Sequence, residues 1–412
     1  MSEIRSRLTP RRPRLSLTAI LSRRRQTLRW VSLVAATWCL AACELPAETW
    51  DPHGTEAVPV HQRSTLIAPA STSAAPATLR VMAWNIKYGA ARIDFWFDLW
   101  GDRVQMTRQE VDVNMGNIYR LINEVNPDIL MTEEIEINSR RSAYTNMVTG
   151  ILEGTSLNYA AYFPTWRSKY IPSEGLGRMD LGNAIFSRYP IKSAQRISQI
   201  DRTDQDPLTR YFYIHRAVGR VVLDVGRDVA AMVVHTEAYD KDGTKGKQLV
   251  QILDLLNAET LPFVIGGDFN ALPPNTVKLA DFNDLSPREK GTDFEQPPYP
   301  PDEMVPFYDA FVPHITSARY GTTYEAQRDY FTHSIIGRDK IGSQGEPGFW
   351  TRQLDFFFLR APDAWVPGST DNLQLPGRGA AAGIGVGGAG IASDPMELSD
   401  HCPIVGTWML AP

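Results

Sequence analysis

Four apolar, strand-like runs in this chain each end on a side chain that can carry chemistry. Residues 79–84 lead into Asn85, 128–132 into Glu133 and Glu134, 229–234 into His235, and 263–265 into Gly266-Gly267-Asp268-Phe269-Asn270. Ligand sites in α/β folds favour the carboxyl ends of strands. Two further runs are inverted: Asp355 precedes 356–359, and Asp400-His401 precedes 402–408. If those two run antiparallel to the others, all six points converge on one sheet edge. That condition constrains the fold more than composition does.

The expected strands are 79–84, 128–132, 183–187, 217–225, 229–235, 262–266, 354–359 and 402–409. A helix is expected over 107–125, where Val111, Met115, Ile118, Leu121, Ile122 and Val125 share a face, and another over 245–258, with Leu249, Ile252, Leu255 and Leu256. Pro127 ends the first helical region, because the residue before a proline is pushed out of helical geometry. Strands in direct succession, mixed with strands separated by helices, argue for a mixed α/β fold.

The side chains at these ends form a coherent set. Glu134, Asp268, Asp400, Asn85 and Asn270 offer oxygen ligands and amides. Oxygen-only sites suit hard cations: Mg2+ first, with Mn2+ or Ca2+ as alternatives. Such a cation on a phosphoryl oxygen stabilises developing negative charge and can activate water. Proton transfer near neutral pH falls most often to histidine, and His235 and His401 are available. Asp355 is the candidate carboxylate that fixes the tautomer and orientation of His401.

The runs Met82-Ala83-Trp84-Asn85-Ile86, Pro127-Asp128 through Glu133-Glu134-Ile135, Gly266-Gly267-Asp268-Phe269-Asn270, Leu354-Asp355-Phe356 and Ser399-Asp400-His401 stand in the order of the endonuclease/exonuclease/phosphatase superfamily, which this chain resembles over nearly all of 79–410. Each run alone is a common accident; five in order are not. The resemblance implies a four-layer α/β sandwich, two packed mixed β-sheets flanked by helices. It also implies that Glu134 binds the metal with Asn85 and Asp400 nearby, that Asp268 and Asn270 orient water and phosphate, and that His401 with Asp355 is the acid–base pair. His235 matches the family histidine that contacts phosphate in many nuclease and phosphatase branches. The abasic-site repair branch lacks that histidine and has a metal-ligating aspartate where this chain has Lys87, so the resemblance points away from DNA repair and leaves the metal count open. Asn183, in Leu181-Gly182-Asn183-Ala184-Ile185, matches a recurring family strand and is the candidate substrate-binding residue; strand packing would place it there equally well.

Other polar residues receive plainer readings. Glu133 is expected to face solvent or to be structural, and Glu136 to be an exposed charge. His215, His314 and His333 are expected to be ordinary surface or loop histidines. The aromatic run 93–100 should lie on the rim of the site, gripping a lipid or a base or simply covering the end of the core. The Gly/Ala-rich segment 377–393 reads as a mobile loop near the site or, in the favoured reading, as a plain flexible insertion.

The amino terminus carries a separate message. Arg23, Arg24, Arg25 and Arg29 precede an apolar run over 30–42 that is too short to stay in a bilayer, the pattern of a secretory signal. It ends Leu40-Ala41-Ala42-Cys43, which resembles a bacterial lipobox with Cys43 as the lipidated residue. Residues 1–42 are therefore expected to be removed, by the general or the twin-arginine route. Residues 43–78, rich in Pro, Ala, Ser and Thr, are read as a tether and 79–412 as the catalytic domain. Glu44 rather than aspartate after the cysteine favours the outer membrane or cell surface. Of 42 basic and 47 acidic residues, the signal holds nine arginines and one glutamate, which leaves 33 against 46, a formal balance of −13. Such a surface gives no general attraction to nucleic acid. Cys402 is then the lone remaining thiol, and no intrachain disulfide is expected.

The sequence thus leads to an extracytoplasmic, Mg2+-dependent phosphoesterase, a lipid-anchored monomer acting as a phosphodiesterase on a phospholipid or small phosphoester. A membrane-tethered deoxyribonuclease and an inactive anchored binding protein on the same fold are the alternatives.

Overall fold

The computed structural model describes residues 46–67, 76–239 and 241–412. The signal segment 1–42 and Cys43 lie outside the described residues. In chain order the strands are β1 (Thr55–Ala57), β2 (Val60–Gln62), β3 (Thr78–Asn85), β4 (Ile129–Glu136), β5 (Tyr159–Ile171), β6 (Gly177–Ser187), β7 (Ile191–Ser198), β8 (Ala217–Asp224), β9 (Asp228–His235), β10 (Phe263–Asp268), β11 (Val312–Pro313), β12 (Asp355–Leu359), β13 (Ala364–Trp365), β14 (Asp371–Asn372) and β15 (Ile404–Met409). One sheet has the order β1-β7-β8-β9-β10-β12-β11. The other has the order β13-β15-β3-β4-β6-β5-β2, with β14 also on β15. The helices used below are α1 (Arg108–Val125), α2 (Met147–Gly154), α3 (Pro207–Tyr211), α4 (Thr244–Ala258) and α5 (Val305–Ala310).

Three apolar layers hold this together. Met82, Trp84, Leu130 and Ile135 of one sheet pack against Met115, Ile118 and Ile122 of α1 and Ile151 of α2. Val81, Ala83, Ile129 and Met131 on the opposite face of that sheet meet Val221, Val233, Val264 and Phe357 of the second sheet. The outer face of the second sheet, with Ala230, Met232 and Ile265, is covered by Leu249, Ile252 and Leu256 of α4 and Phe307 of α5. Successive strand residues point to opposite faces. With both faces of both sheets covered, the central strands read as unbroken apolar runs. The result is a four-layer α/β sandwich of two mixed sheets, as the sequence implied.

Local signals set the long helices. Thr107 caps α1 through the Glu110 amide while the Glu110 side chain returns to the Thr107 amide, and Asn126 stops the helix in the left-handed conformation at φ 54°. The shorter α2 fits against α1 because Gly150 and Gly154 leave room for the Tyr119 ring: a Cβ on Gly150 would lie 2.1 Å from the Tyr119 hydroxyl.

Strand direction supplies the convergence the sequence required. β3 and β4 are parallel, as are β9 and β10, whereas β12 is antiparallel to β10 and β15 antiparallel to β3. Asp268 is consequently the register partner of both His235 and Asp355, and Asn85 that of Glu133.

Several expectations need correction. The segment read as a tether contributes structure: β1 extends one sheet beside β7, β2 extends the other beside β5, and Ala47 bridges Ser168. The folded part therefore begins well before Leu79. Backbone pairing needs no apolar side chains, so all six residues of these two strands stay exposed and the composition looked like a linker's. The segment 377–393 is held away from the site: Ile384 and Ile391 are buried in the α1 layer, and Gly385, Ala392 and Ser393 donate backbone hydrogen bonds to Glu124. β5, β7 and α2 were not anticipated.

Candidate active site

The site grows from a defect in one strand. β4 pairs with β6 as Thr132↔Ala184 and then Ile135↔Gly182, so Glu133 and Glu134 together oppose the single residue Asn183. This β-bulge breaks the alternation of side chains. Glu134 takes φ 56°, costly for a residue with a Cβ, and lines the cavity, while Ile135 returns to the helix-facing layer with Leu130. Glu133 falls between the sheets. It is fully buried, neither carboxyl oxygen has a hydrogen-bond partner, and burial, then Asp355 and Asp268, push its pKa well above the usual carboxylate range. It is thus a neutral acid rather than a solvent-facing charge. Its packing also explains Gly267 at φ 130°, where a Cβ would lie 2.5 Å from Glu133 Oε1 and 2.2 Å from the Val234 carbonyl oxygen.

Above Glu133, two histidines converge on one carboxylate. Asp268 Oδ2 lies 3.5 Å from His235 Nε2, 3.5 Å from His401 Nε2 and 3.4 Å from Asn85 Nδ2. The Asn270 backbone N–H donates to Asp268 Oδ1 at 2.9 Å. On the far side of His401, Nδ1 stands 2.8 Å from Asp355 Oδ2. Burial lowers the His401 pKa, but Asp355 and Asp268 outweigh it and hold the value up to about 10. For His235, burial, with Arg216 and His401 adding to it, drives the pKa well below the histidine norm. The Asp268 carboxyl is raised to about 7 by burial and Asp355, against the pull of His401. One imidazolium, one neutral imidazole and one readily protonated carboxyl are within reach of a common point.

Asn270, at φ 46°, lines the same cavity; its amide donates to the Thr236 carbonyl at 3.1 Å and its own carbonyl accepts from Lys245 Nζ at 2.9 Å. Asn183 is buried on the cavity wall with no partner for Nδ2. Asn85 departs from its expected role as an oxygen ligand. Its Oδ1 accepts the Lys87 backbone N–H at 3.1 Å, and its Nδ2 donates to Glu134 Oε1 at 3.1 Å, so it bridges carboxylates. Asp400 lines the cavity 3.7 Å from the buried ammonium of Lys87, which pairs more closely with Asp98 at 2.6 Å.

Among the described residues no three His, Cys, Asp or Glu side chains form a metal-holding group. Mg2+ needs no such cage, since it keeps several waters and binds through one or two carboxylates plus substrate phosphate. Glu134 and Asp400 fit that demand: both line the cavity, and burial followed by the nearby Asp400 raises the Glu134 pKa, the signature of crowded anions that a cation relieves.

The remaining corrections share a cause: burial in loops or at a strand end, which periodicity does not reveal. Glu136 is fully buried and ion-paired with Arg141 at 2.7 Å. His215 is buried against Asp201 at 3.0 Å, and His314 is buried between Asn372 and the Phe357 amide. His333 belongs to the site: it lines the cavity, its ring centroid is 4.6 Å from that of His401, and its backbone bridges to His401. In the aromatic run, Phe95 is core, while Trp96 and Phe97 line the cavity.

A histidine–aspartate pair and clustered carboxylates gathered at one edge of the sheets in this sandwich define a hydrolase of the phosphoryl-transfer class. Residues 82–401 match the sequence model of the Endonuclease/Exonuclease/phosphatase family, and the chain belongs to that family, whose members are phosphoric ester hydrolases that generally use divalent metal ions. Similar solved structures include an endonuclease/exonuclease/phosphatase from Beutenbergia cavernae, at 17% identity and TM-score 0.48 over 82% of this chain and 72% of that one. A mannosyl-6-phosphatase from Bacteroides thetaiotaomicron is 13% identical with TM-score 0.44, over 81% of this chain and 100% of that one. TDP2 from D. rerio, solved with a single-strand DNA product, is 13% identical with TM-score 0.45, over 81% and 99% respectively. A search of curated proteins gives no match.

Proposed function

We propose that the protein is a divalent-metal-dependent phosphodiesterase that acts outside the cytoplasm, anchored through Cys43, on a phospholipid or small phosphoester. The observation that carries the chemistry is the position of Asp268 Oδ2, 3.5 Å from both His235 Nε2 and His401 Nε2, with Asp355 behind His401. Asp268, oriented by the Asn270 amide, accepts a proton from the attacking water as its oxygen bonds to phosphorus. His401, held protonated by Asp355, donates a proton to the departing ester oxygen as the opposite P–O bond breaks. Neutral His235 and the unpartnered amide of Asn183 donate hydrogen bonds to phosphoryl oxygens. A bound divalent cation supplies charge neutralisation at the phosphoryl oxygen, and Glu134 and Asp400 are the residues that would hold it. The location rests on the basic and apolar leader with its lipobox-like end.

The test is hydrolysis of bis(p-nitrophenyl) phosphate by the full chain. Activity should vanish with chelator, return with Mg2+ or Mn2+, and be lost in His401→Ala. Activity indifferent to chelator or to that substitution would overturn the mechanism. Incorporation of labelled palmitate that disappears in Cys43→Ser tests the anchor separately.

A further inference from the structure

The cavity over the site, about 640 Å³, continues beyond the phosphoryl chemistry into an apolar half. Trp166, Leu176 and Leu181 are buried there, with Trp96, Phe97, Phe212 and Ile214 packed against them and partly open. The buried residues of this cluster belong to none of the three layers that hold the sandwich together, and Phe97 packs against both the cluster and the α1 layer. Leu208, on α3, lines the same cavity and is 68% exposed. Two buried polar atoms on this lining have no partner, the donor Nε1 of Trp96 and the acceptor Oε1 of Gln205.

The charges of the lining limit what the ligand carries. Its lysine and arginine side chains already face protein carboxylates: Lys87 with Asp98 at 2.6 Å, Arg141 with Glu136 at 2.7 Å, Arg202 with Asp204 at 2.8 Å, and Arg216 with Glu237 at 3.6 Å. Asp98, Glu174 and Asp293 also line the cavity, so a second phosphate would meet carboxylates. The rings that meet across Phe294 offer edges rather than parallel faces. Trp96 meets Phe294 at 82° and Tyr239 meets Phe294 at 88°, both edge-on.

We propose that the apolar half of this cavity binds the aliphatic chain of an amphiphilic ester bearing a single phosphoryl group. The proposal rests on the phosphoesterase reading above and selects a lipid from the substrates that reading allows. A site of this size buries most of a small amphiphile.

The experiment is equilibrium binding of alkylphosphonates, from methyl to dodecyl and below their micelle concentrations, to the full chain with Mg2+, read by tryptophan fluorescence. Affinity should rise about fourfold per added methylene until the cavity is filled. Phe212→Asp should flatten that rise. The exposed Leu208→Asp, whose position rules out a folding defect, should weaken it. Octathymidylate should not displace the dodecyl compound. Affinity independent of chain length, or displacement by octathymidylate, overturns the proposal. Because phosphonates are not hydrolysed, chain-length-dependent binding by a protein that hydrolyses no phosphodiester would refute the proposed catalysis while leaving this inference standing.

Discussion

His401 Nδ1 and Asp355 Oδ2 lie 2.8 Å apart, with both side chains almost wholly removed from solvent. Asp355→Asn keeps the shape and removes the charge. Burial, which lowers the His401 pKa, is then opposed chiefly by Asp268, with Asp400 adding less. The expected result is a kcat lower by about 10²–10⁴, with the alkaline limb of the rate profile moved to lower pH. Steady-state rates across pH, with near-ultraviolet circular dichroism as the fold control, check this; an unmoved limb would show that Asp355 does not hold the proton on His401.

The wild-type profile should be a bell. Asp268 must be ionised to accept a proton and titrates at about 7; His401 must be protonated to donate one and titrates at about 10. The two interact, so the limbs belong to the pair. Stability follows the same shifts. The His401 contribution is complete below its unfolded pKa of about 6.5 and is lost as pH rises through about 10. The Asp268 contribution is present below an unfolded pKa of about 3.9 and is gone by about pH 7. Plots of kcat/KM and of urea midpoints against pH would read both.

Glu133→Gln should stabilise the protein, increasingly so with pH. Wild-type Glu133 stays neutral when folded but ionises freely when unfolded above pH ~4.3. From there up to its folded pKa the wild type loses about 1.4 kcal/mol per pH unit on this account. The variant lacks that slope. Denaturant unfolding at pH 5 and pH 8 should give near-equality at the lower pH and a clear gain at the higher one. An equal difference at both would contradict burial of the neutral acid.

Lys87→Met should destabilise the fold by about 3 kcal/mol, because it leaves Asp98 and Asp400 facing one another without the buried ammonium. Adding Asp98→Asn should recover much of the loss. A double-mutant cycle by chemical denaturation measures the coupling, and additive effects would dismiss it.

A chain that begins at residue 76 loses β1 and β2 and bares one edge of each sheet, at β7 and β5. Unpaired edges template association. That variant should melt at lower temperature and aggregate on concentration, whereas one beginning at residue 46 should match the full chain. Thermal melts and light scattering distinguish them.

What the sequence reveals follows from what needs apolar side chains. The central strands and the helices at 108–125 and 244–258 were legible because packing on two faces writes itself as runs and periodicity. β5 was obscured by Pro164 and the polar Arg167, Ser168 and Lys169, and β7 by exposed or half-exposed positions along much of its length. In the site, residues at strand ends could be found, but His333 could not, since it arrives on a loop through backbone bridges to Arg352 and His401. The choice between a solvent-facing and a structural Glu133 has a similar origin: it stays open until the bulge sends that glutamate between the sheets and its neighbour into the cavity.

That bulge gives β4 one residue more than its pairing with β6 requires. Deleting one of the two residues opposite Asn183 would restore unbroken pairing with β6, and the four layers could still assemble. Alternation would then run unbroken along the strand, and the side chains beyond the deletion would keep their partners and faces. Ile135 would stay opposite Gly182 in the helix layer, the one remaining glutamate would lie between the sheets, and the cavity would lose its own. Within this family fold, a single-residue indel at that place separates folding from chemistry more cleanly than any substitution of a site residue.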